Sequence, residues 1–303
     1  MKAWINGQFV EFADAKVGFF DGGFQHGVGL FETMLARNGA VLRLEAHLER
    51  LATSARELRL FDPLRVEPLA EAVQLCLEAN ELKDARIRIT LTAGDMGRPF
   101  AGANAAGERP APPQPTIAVH VQPPTRYPDE IFDNGVGVTI AEGRANPHDR
   151  FASHKTLMYW PRIATLQRAA ELGCSEALWF TTRSHLASGS VSSVFLVKDG
   201  RIRVPFARGE EPMQDGKPAF HAPVLPGCTR AAIILWAEGT GIEVERAELT
   251  INDLLAADEV FLTNSSWGVM PVVRVEQHQV GAGKAAAGKP GAVSRAMREK
   301  WLA

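Results

Sequence analysis

Apolar positions along this chain switch repeatedly between a two-residue and a three-to-four-residue spacing, and the switch separates strands from helices. Trp4-Ile5-Asn6-Gly7-Gln8-Phe9-Val10 places an Asn-Gly pair between apolar residues, a strong hairpin signal. Phe31 to Ala36 leads through Arg37-Asn38-Gly39 into Val41-Leu42 as a second hairpin. Directly after it Leu44, Leu48, Leu51, Ala55 and Leu58 recur as one face of an amphipathic helix, and another helix is expected over Val66 to Ala79. Strands are expected at Arg86 to Thr92 and Thr116 to Val121, separated by Gly94 to Pro115, which is dense in Gly, Ala and Pro and reads as a mobile loop.

Gln122-Pro123-Pro124-Thr125-Arg126-Tyr127-Pro128 resists helix and central strand alike, because proline removes a backbone donor and fixes φ, and it reads as a linker. Beyond it the pattern predicts a strand at Val136 to Ala141, a helix from Thr156 to Leu172, and strands at Glu176 to Thr181 and Ser193 to Val197. Asp199-Gly200 then turns the chain into a strand at Arg201 to Val204, and Arg208 to His221 reads as a surface loop. A helix at Thr229 to Glu238, strands at Glu243 to Arg246, Glu259 to Thr263 and Val269 to Val275, and a last helix at Ala292 to Trp301 complete the pattern. No repeat of fixed period is present. The class is α/β (α+β): a smaller N-terminal α+β domain over residues 1–121, a linker over 122–128 and a larger strand-rich domain over 129–303.

Composition narrows the function. With 46% hydrophobic and 22% charged residues the chain has the balance of a globular protein rather than a disordered or fibrous one. Lys plus Arg at 33 against Asp plus Glu at 35 leaves a net charge of -2, so the basic excess that nucleic-acid binding needs is missing. Cys76, Cys174 and Cys228 are odd in number and show no C-x-x-C spacing, which fits a reducing compartment better than a disulfide or zinc framework. No apolar run suits a secretory signal or a membrane span, and a cytoplasmic location is expected, without a membrane partner.

The chemistry-bearing residues are few. Gly283-Lys284-Ala285-Ala286-Ala287-Gly288-Lys289 matches a phosphate-loop spacing, but Pro290 stands where a magnesium-binding hydroxyl is required, so the match is rejected. Leu225-Pro226-Gly227-Cys228-Thr229-Arg230 is a better anion site, a turn feeding an apolar helix whose first N–H groups lack partners. Arg50 lies about 110° from the apolar stripe of its helix and, taken alone, reads as a solvated arginine. Lys155 is expected at a helix start, where a cation opposes the dipole and its pKa would fall, suiting a nucleophilic amine. The eight histidines lack metal-binding spacing, and Ser188-Gly189-Ser190 lacks the second glycine of a nucleophile elbow.

Together with Phe24-Gln25-His26-Gly27-Val28-Gly29-Leu30-Phe31-Glu32-Thr33, Leu44-Glu45-Ala46-His47-Leu48-Glu49-Arg50-Leu51, His154-Lys155-Thr156-Leu157-Met158-Tyr159, Gly173-Cys174-Ser175-Glu176-Ala177-Leu178 and Leu262-Thr263-Asn264-Ser265-Ser266-Trp267-Gly268, these segments resemble the class IV aminotransferase family. That family comprises the fold-type-IV pyridoxal-phosphate enzymes, among them branched-chain and D-amino-acid aminotransferases and aminodeoxychorismate lyase. The resemblance implies a two-domain architecture with pyridoxal 5'-phosphate in the interdomain cleft, a small-molecule amino substrate and a homodimer. It implies Lys155 as the lysine carrying the cofactor and as the catalytic base, and Tyr159 beside the cofactor's phenolic oxygen. Arg50, Cys228, Thr229 and Ser265 inherit the phosphate. Met158 replaces a usual asparagine.

One position departs from the family. Counting 33 residues on from Lys155 reaches Ser188, where the family places the glutamate that pairs with the pyridine nitrogen. A serine hydroxyl can only hydrogen-bond that nitrogen, so a neutral ring is expected. Thr263-Asn264-Ser265 followed by Gly268-Val269-Met270-Pro271-Val272 is more like aminodeoxychorismate lyase than the branched-chain enzymes. The resemblance thus implies elimination of the aminodeoxychorismate lyase kind, with transamination of a branched-chain or D-amino acid or an amine as the alternative. A catalytically silent cofactor-binding member is the alternative of another class.

Overall fold

The computed structural model describes residues 1–96, 114–283 and 287–303. Most of the Gly94 to Pro115 loop, and the Lys284 to Ala286 part of the rejected phosphate-loop match, lie outside the described residues. The chain divides into two units, Met1–Thr125 with Lys155–Met158, and Arg126–His154 with Tyr159–Ala303. Lys155–Met158 counts with the N-terminal unit because its backbone pairs there, although the sequence reading placed it in the C-terminal domain.

The first unit runs β1 (Lys2–Ile5), β2 (Gln8–Glu11), α1 (Gly22–His26), β3 (Gly29–Arg37), β4 (Ala40–Val41), α2 (Leu44–Glu57), α3 (Val66–Ala79), β5 (Ala85–Thr92) and β6 (Thr116–Gln122). Its six strands pair antiparallel in the order β2-β1-β6-β5-β3-β4. Asn6 and Gly7 both take positive φ, 46° and 91°, which is what a two-residue hairpin turn demands and why the Asn-Gly signal worked. The α2 stripe of Leu48, Leu51 and Ala55 is buried in one core with Leu30, Met34 and Ala36 of β3 and Ile87 and Ile89 of β5. Successive strand residues face opposite ways, so Glu32, between Leu30 and Met34, enters that apolar core, and Phe31 turns to the other face.

The second unit contains α4 (Glu130–Asp133), β7 (Val136–Ala145), α5 (Trp160–Glu171), β8 (Glu176–Thr181), β9 (Leu186–Gly189), β10 (Ser193–Lys198) and β11 (Arg201–Pro205). It continues with β12 (Met213–Gln214), β13 (Lys217–Pro218), α6 (Cys228–Gly239), β14 (Val244–Ala247), α7 (Ile251–Leu255), β15 (Glu259–Asn264), β16 (Gly268–Val275), β17 (His278–Gln279) and α8 (Ala292–Leu302). A nine-stranded mixed sheet follows the order β14-β11-β10-β15-β16-β7-β8-β9, with β17 beside β16. The pairs β11/β14, β16/β7 and β7/β8 are parallel. Helix α5 packs on β7 and β8, α6 on β15, and α8 on β15 and β16, around a core that includes Val138, Leu178, Leu196, Leu262 and Val272.

Several elements depart from the sequence reading. Helix α5 begins at Trp160 and not at Thr156, because Pro161 belongs in the first helical turn, where its missing N–H costs nothing. The Arg208 to His221 loop holds the small β12/β13 hairpin across Asp215-Gly216, both at positive φ. Strand β9 and helices α1, α4 and α7 were not expected; α7 carries a capping box between Thr250 and Asp253 that was legible in the sequence.

Helix α1 is only five residues long and contains two glycines, so it depends on outside support. Asp21, 2% exposed, accepts from Gly23 N, Thr92 Oγ1 and Thr116 Oγ1, each at 2.7 Å. Asp21→Ala is expected to cost about 3 kcal/mol in urea unfolding, since hydrogen bonds to a charged group contribute ~1.5–3 kcal/mol each and two hydroxyls lose their acceptor. A loss well under ~1 kcal/mol would show that this clasp does not hold the segment.

Candidate active site

Lys155 sits on extended backbone that prolongs the sheet of the first unit. Phe31 N donates to Lys155 O and Leu157 N donates to Gly29 O, both at 2.9 Å, and Leu30 and Thr156 form an antiparallel bridge. The chain is therefore gripped on either side of the lysine, and its Nζ lies 4.3 Å from the centre of the Phe31 ring. The Arg88 guanidinium lies over the same ring at 3.9 Å. The expectation of a helix start here is corrected: four residues, Thr156 to Tyr159, separate Lys155 from the first residue of α5, more than the one turn over which a helix dipole acts. What orients the amine is strand pairing and an aromatic face. Its neighbour His154 is held neutral at pH 7, since burial and then the charges of Arg208 and Arg150 pull its pKa to about 4.

Arg50 is not solvated, which overturns the reading of its position taken alone. Its Nε donates to Glu32 Oε1 at 2.8 Å and its Nη2 to Oε2 at 2.6 Å, while His47 Nδ1 lies 2.8 Å from Oε2. The Glu32 and His47 side chains are 1% and 2% exposed, and that of Arg50 is 9% exposed. Burial alone pushes the Glu32 carboxyl up; the Arg50 charge, then the hydrogen bonds from His47 and Arg50, outweigh it and hold the pKa at about 2. An acid forced into the core by the pleat of β3 thus draws Arg50 inward and fixes its planar guanidinium. Glu32 was the only charged residue among Gly29 to Ala36, and that isolation was the signal for it.

The second unit supplies another group of polar atoms. Cys228 is the first residue of α6, Gly227 is its N-cap without a side-chain hydrogen bond, and no acid occurs in the first turn. Thr229 Oγ1 lies 3.5 Å from Ser265 Oγ, which sits just beyond the end of β15. Asn264 braces that turn by accepting from Ser266 N at 2.9 Å and Trp267 N at 3.0 Å, and its Nδ2 donates to Val191 O at 3.3 Å. A helix start without an acid, joined by two converging hydroxyls, is a donor set that suits a phosphate ester. Arg230, 3% exposed, fixes the same turn through bonds from Nη1 and Nη2 to Glu210 at 2.7 Å.

Ser188 is buried on β9. Its Oγ accepts from Arg162 Nη1 at 3.0 Å and donates to Gly189 O at 2.9 Å. Tyr159, the N-cap of α5, donates its hydroxyl to Ser190 O at 3.2 Å. Beneath the turn Glu176 is fully buried and accepts from Ala177 N, Ser190 N, Val191 N and Ser192 Oγ at 2.9–3.1 Å. Burial raises its pKa and those four bonds oppose the rise. The structure therefore brings Tyr159 and Ser188 to one turn and Thr229 and Ser265 to a neighbouring one, all within the second unit; Arg50 and Lys155 belong to the first. Arg162 and Glu176 were missed, the former because its position in an amphipathic pattern carries no mark of what it meets.

The first unit thus holds an oriented lysine, and the second a helix start suited to phosphate and a buried hydroxyl near a tyrosine. The class IV amino-transferase family model matches residues 29–275, and the chain belongs to that family of pyridoxal-phosphate-dependent aminotransferases and lyases. A provisionally named branched-chain-amino-acid aminotransferase of Methanocaldococcus jannaschii is 31% identical over 279 residues, 91% of this chain and 88% of that one. The aminodeoxychorismate lyase of Bacillus subtilis is 27% identical over 288 residues, 92% and 88% of the two chains. Among solved structures, an Escherichia coli branched-chain amino acid aminotransferase superposes with a TM-score of 0.84 at 25% identity, covering 99% of this chain and 93% of that one.

Glu32 makes a pH prediction. Its carboxyl sits at about 2 in the folded protein against an ordinary 4.5, so the stability it confers is full above 4.5 and is lost as pH falls from 4.5 toward 2. Glu32→Gln is expected to cost about 3–5 kcal/mol at pH 7, because it leaves Arg50 charged without its partner. Urea unfolding at pH 7 and at pH 3 should show the gap between wild type and variant shrinking in acid. A gap of constant size would mean that the carboxylate charge is not what holds Arg50.

Proposed function

We propose that this chain acts on an amino substrate by elimination of the 4-amino-4-deoxychorismate lyase kind, with Lys155 carrying the cofactor. The observation that carries this reading is Ser188: where the family resemblance calls for a carboxylate, a neutral hydroxyl stands, hydrogen-bonded to an arginine. Bound pyridoxal phosphate supplies an electron sink for the bond broken at the substrate, and its strength as a sink depends on protonation of the ring nitrogen. A hydroxyl cannot enforce that protonation, which weakens the long-range delocalisation on which transamination depends more than it weakens elimination. Lys155 Nζ would hold the cofactor, and its amine is the group that would take the proton from the substrate carbon that bears nitrogen. The Thr229 and Ser265 hydroxyls, the backbone N–H groups at Cys228 and Thr229, and Arg50 would hold the phosphate, and the Tyr159 hydroxyl would serve the phenolic oxygen.

Transamination of a branched-chain amino acid is the second reading, favoured by the 31% identity to the archaeal relative. The two separate cleanly. Elimination proceeds without a 2-oxo acid acceptor and releases pyruvate from aminodeoxychorismate, whereas transamination stops unless an acceptor is added. Pyruvate release with no acceptor supports the proposal, and acceptor-dependent turnover of leucine or valine replaces it with the second reading. A homodimer in the cytoplasm is part of the proposal. It is supported by Phe19, whose ring meets Phe20 edge-on and Phe24 at a tilt, the three being 68%, 62% and 67% exposed, and by three buried cysteines without disulfides.

Two further outcomes follow. Borohydride reduction of the cofactor-loaded protein should mark the peptide holding Lys155; a label on Lys198 or Lys217 would contradict the assignment. Arg50→Lys keeps a cation beside Glu32 but loses the planar fork, and is expected to weaken cofactor retention by about ten-fold, equivalent to one charge-assisted hydrogen bond. Unchanged affinity would remove Arg50 from the phosphate site.

A further inference from the structure

Arg162 is built into place more firmly than a helix surface residue needs to be. Its Nη1 donates to Ser188 Oγ at 3.0 Å and to Gly189 O at 2.9 Å. Its guanidinium carbon lies 4.3 Å from the centre of the Trp179 ring, and Trp179 Nε1 is itself fixed by donation to Ser190 Oγ at 3.1 Å. An arginine can only donate, so Ser188 must spend a lone pair on it and keeps its one proton for some other acceptor. Gly189 O takes that proton in this structure and already accepts from Arg162, so the hydroxyl can rotate to a new acceptor while the carbonyl keeps a donor. Glu176, the nearby acid on β8, has both oxygens engaged by Ala177, Ser190, Val191 and Ser192, and Tyr159 gives its proton to Ser190 O. Neither is turned toward Ser188 as a proton source.

We propose that Arg162 is a positioning residue that makes Ser188 a hydrogen-bond donor to the cofactor's ring nitrogen and, through its own positive charge, keeps that nitrogen unprotonated. This inference rests on the pyridoxal-phosphate site proposed above. A ring nitrogen that accepts from Ser188 would lie one hydrogen bond beyond the guanidinium, where a second cation is disfavoured by like charge. The pair would then set the reaction class, because the arginine acts on the cofactor's charge through a residue that does touch it.

The test uses the whole protein loaded with pyridoxal phosphate labelled with nitrogen-15 in the ring, and reads the ring-nitrogen resonance from pH 5 to 9. Wild type is expected to resonate in the neutral-pyridine region at pH 7. Arg162→Met should move the titration midpoint up by about one unit or more, and Arg162→Lys, which restores the charge, should bring it back toward wild type. Ser188→Ala should leave the ring neutral but remove the hydrogen-bond shift. A thermal melt of each variant by circular dichroism separates these effects from misfolding, and Arg162→Gln, which also removes the charge, replaces the methionine variant if that one does not fold. A pyridinium resonance in wild type at pH 7, or a midpoint that stays put when the charge at position 162 is removed, would overturn the proposal. A wild-type protein that releases the labelled cofactor on desalting would instead sink the cofactor site itself, and this inference with it.

Discussion

The structure of the first unit turns on a single strand. Backbone pairing of Lys155–Leu157 with the start of β3 holds the lysine, and the next two residues of that strand do opposite things on opposite faces. Phe31 lays a ring under the Lys155 amine, and Glu32 reaches into the apolar core to grip Arg50 and His47 on α2. Neither placement is negotiable once the strand is paired, since a one-residue slip would turn the acid to the wrong face and the ring into the core. The eight-pair register between β3 and β5 fixes against that slip.

A similar economy governs the second unit. The turn from β9 into β10 has to bury several backbone N–H groups, and Glu176 collects them while Arg162 takes the carbonyl of Gly189. Glycine is required at 189: a Cβ there would stand 2.1 Å from Ser192 Oγ and 2.9 Å from Glu176 Oε2. The turn is thus assembled from opposite charges that are spent largely on the backbone, and the Ser188 hydroxyl, which accepts from Arg162, keeps a proton it can redirect from the Gly189 carbonyl. Asn264 links this turn to the Thr229/Ser265 pair by its bond to Val191 O, so the two polar groups of the unit are set by one brace.

Much of the fold was legible because its signals were local. The α3 helix and the β8 strand fall where periodicity puts them, at Val66–Ala79 and Glu176–Thr181. Misses came where tertiary contacts overrule propensity. Helix α1, Gly22–His26, owes its existence to Asp21 and two distant threonines, and β9, Leu186–Gly189, has too few residues to show a period. The helix boundary near Lys155 was misread although Pro161 marked it, because the apolar residues from Leu157 onward continue the helical spacing backward into an extended segment. The site roles come chiefly from family resemblance: spacing alone made Arg50 a solvated arginine and placed Thr229 at a candidate anion-binding helix start, and nothing in the sequence shows that Arg162 lies against Ser188.

In the proposed site Lys155 would carry the cofactor, Thr229, Ser265 and Arg50 would hold its phosphate, and the Ser188 hydroxyl would meet its ring nitrogen. A crystal structure of the protein grown with pyridoxal phosphate tests it most directly. Expected are continuous density from Lys155 Nζ to the cofactor, phosphate oxygens within hydrogen-bonding distance of Thr229 Oγ1 and Ser265 Oγ, and Ser188 Oγ within about 3.2 Å of the ring nitrogen, the outer limit of a sound hydrogen bond. A cofactor joined to another lysine, or one whose ring nitrogen faces a carboxylate instead of Ser188, would contradict it.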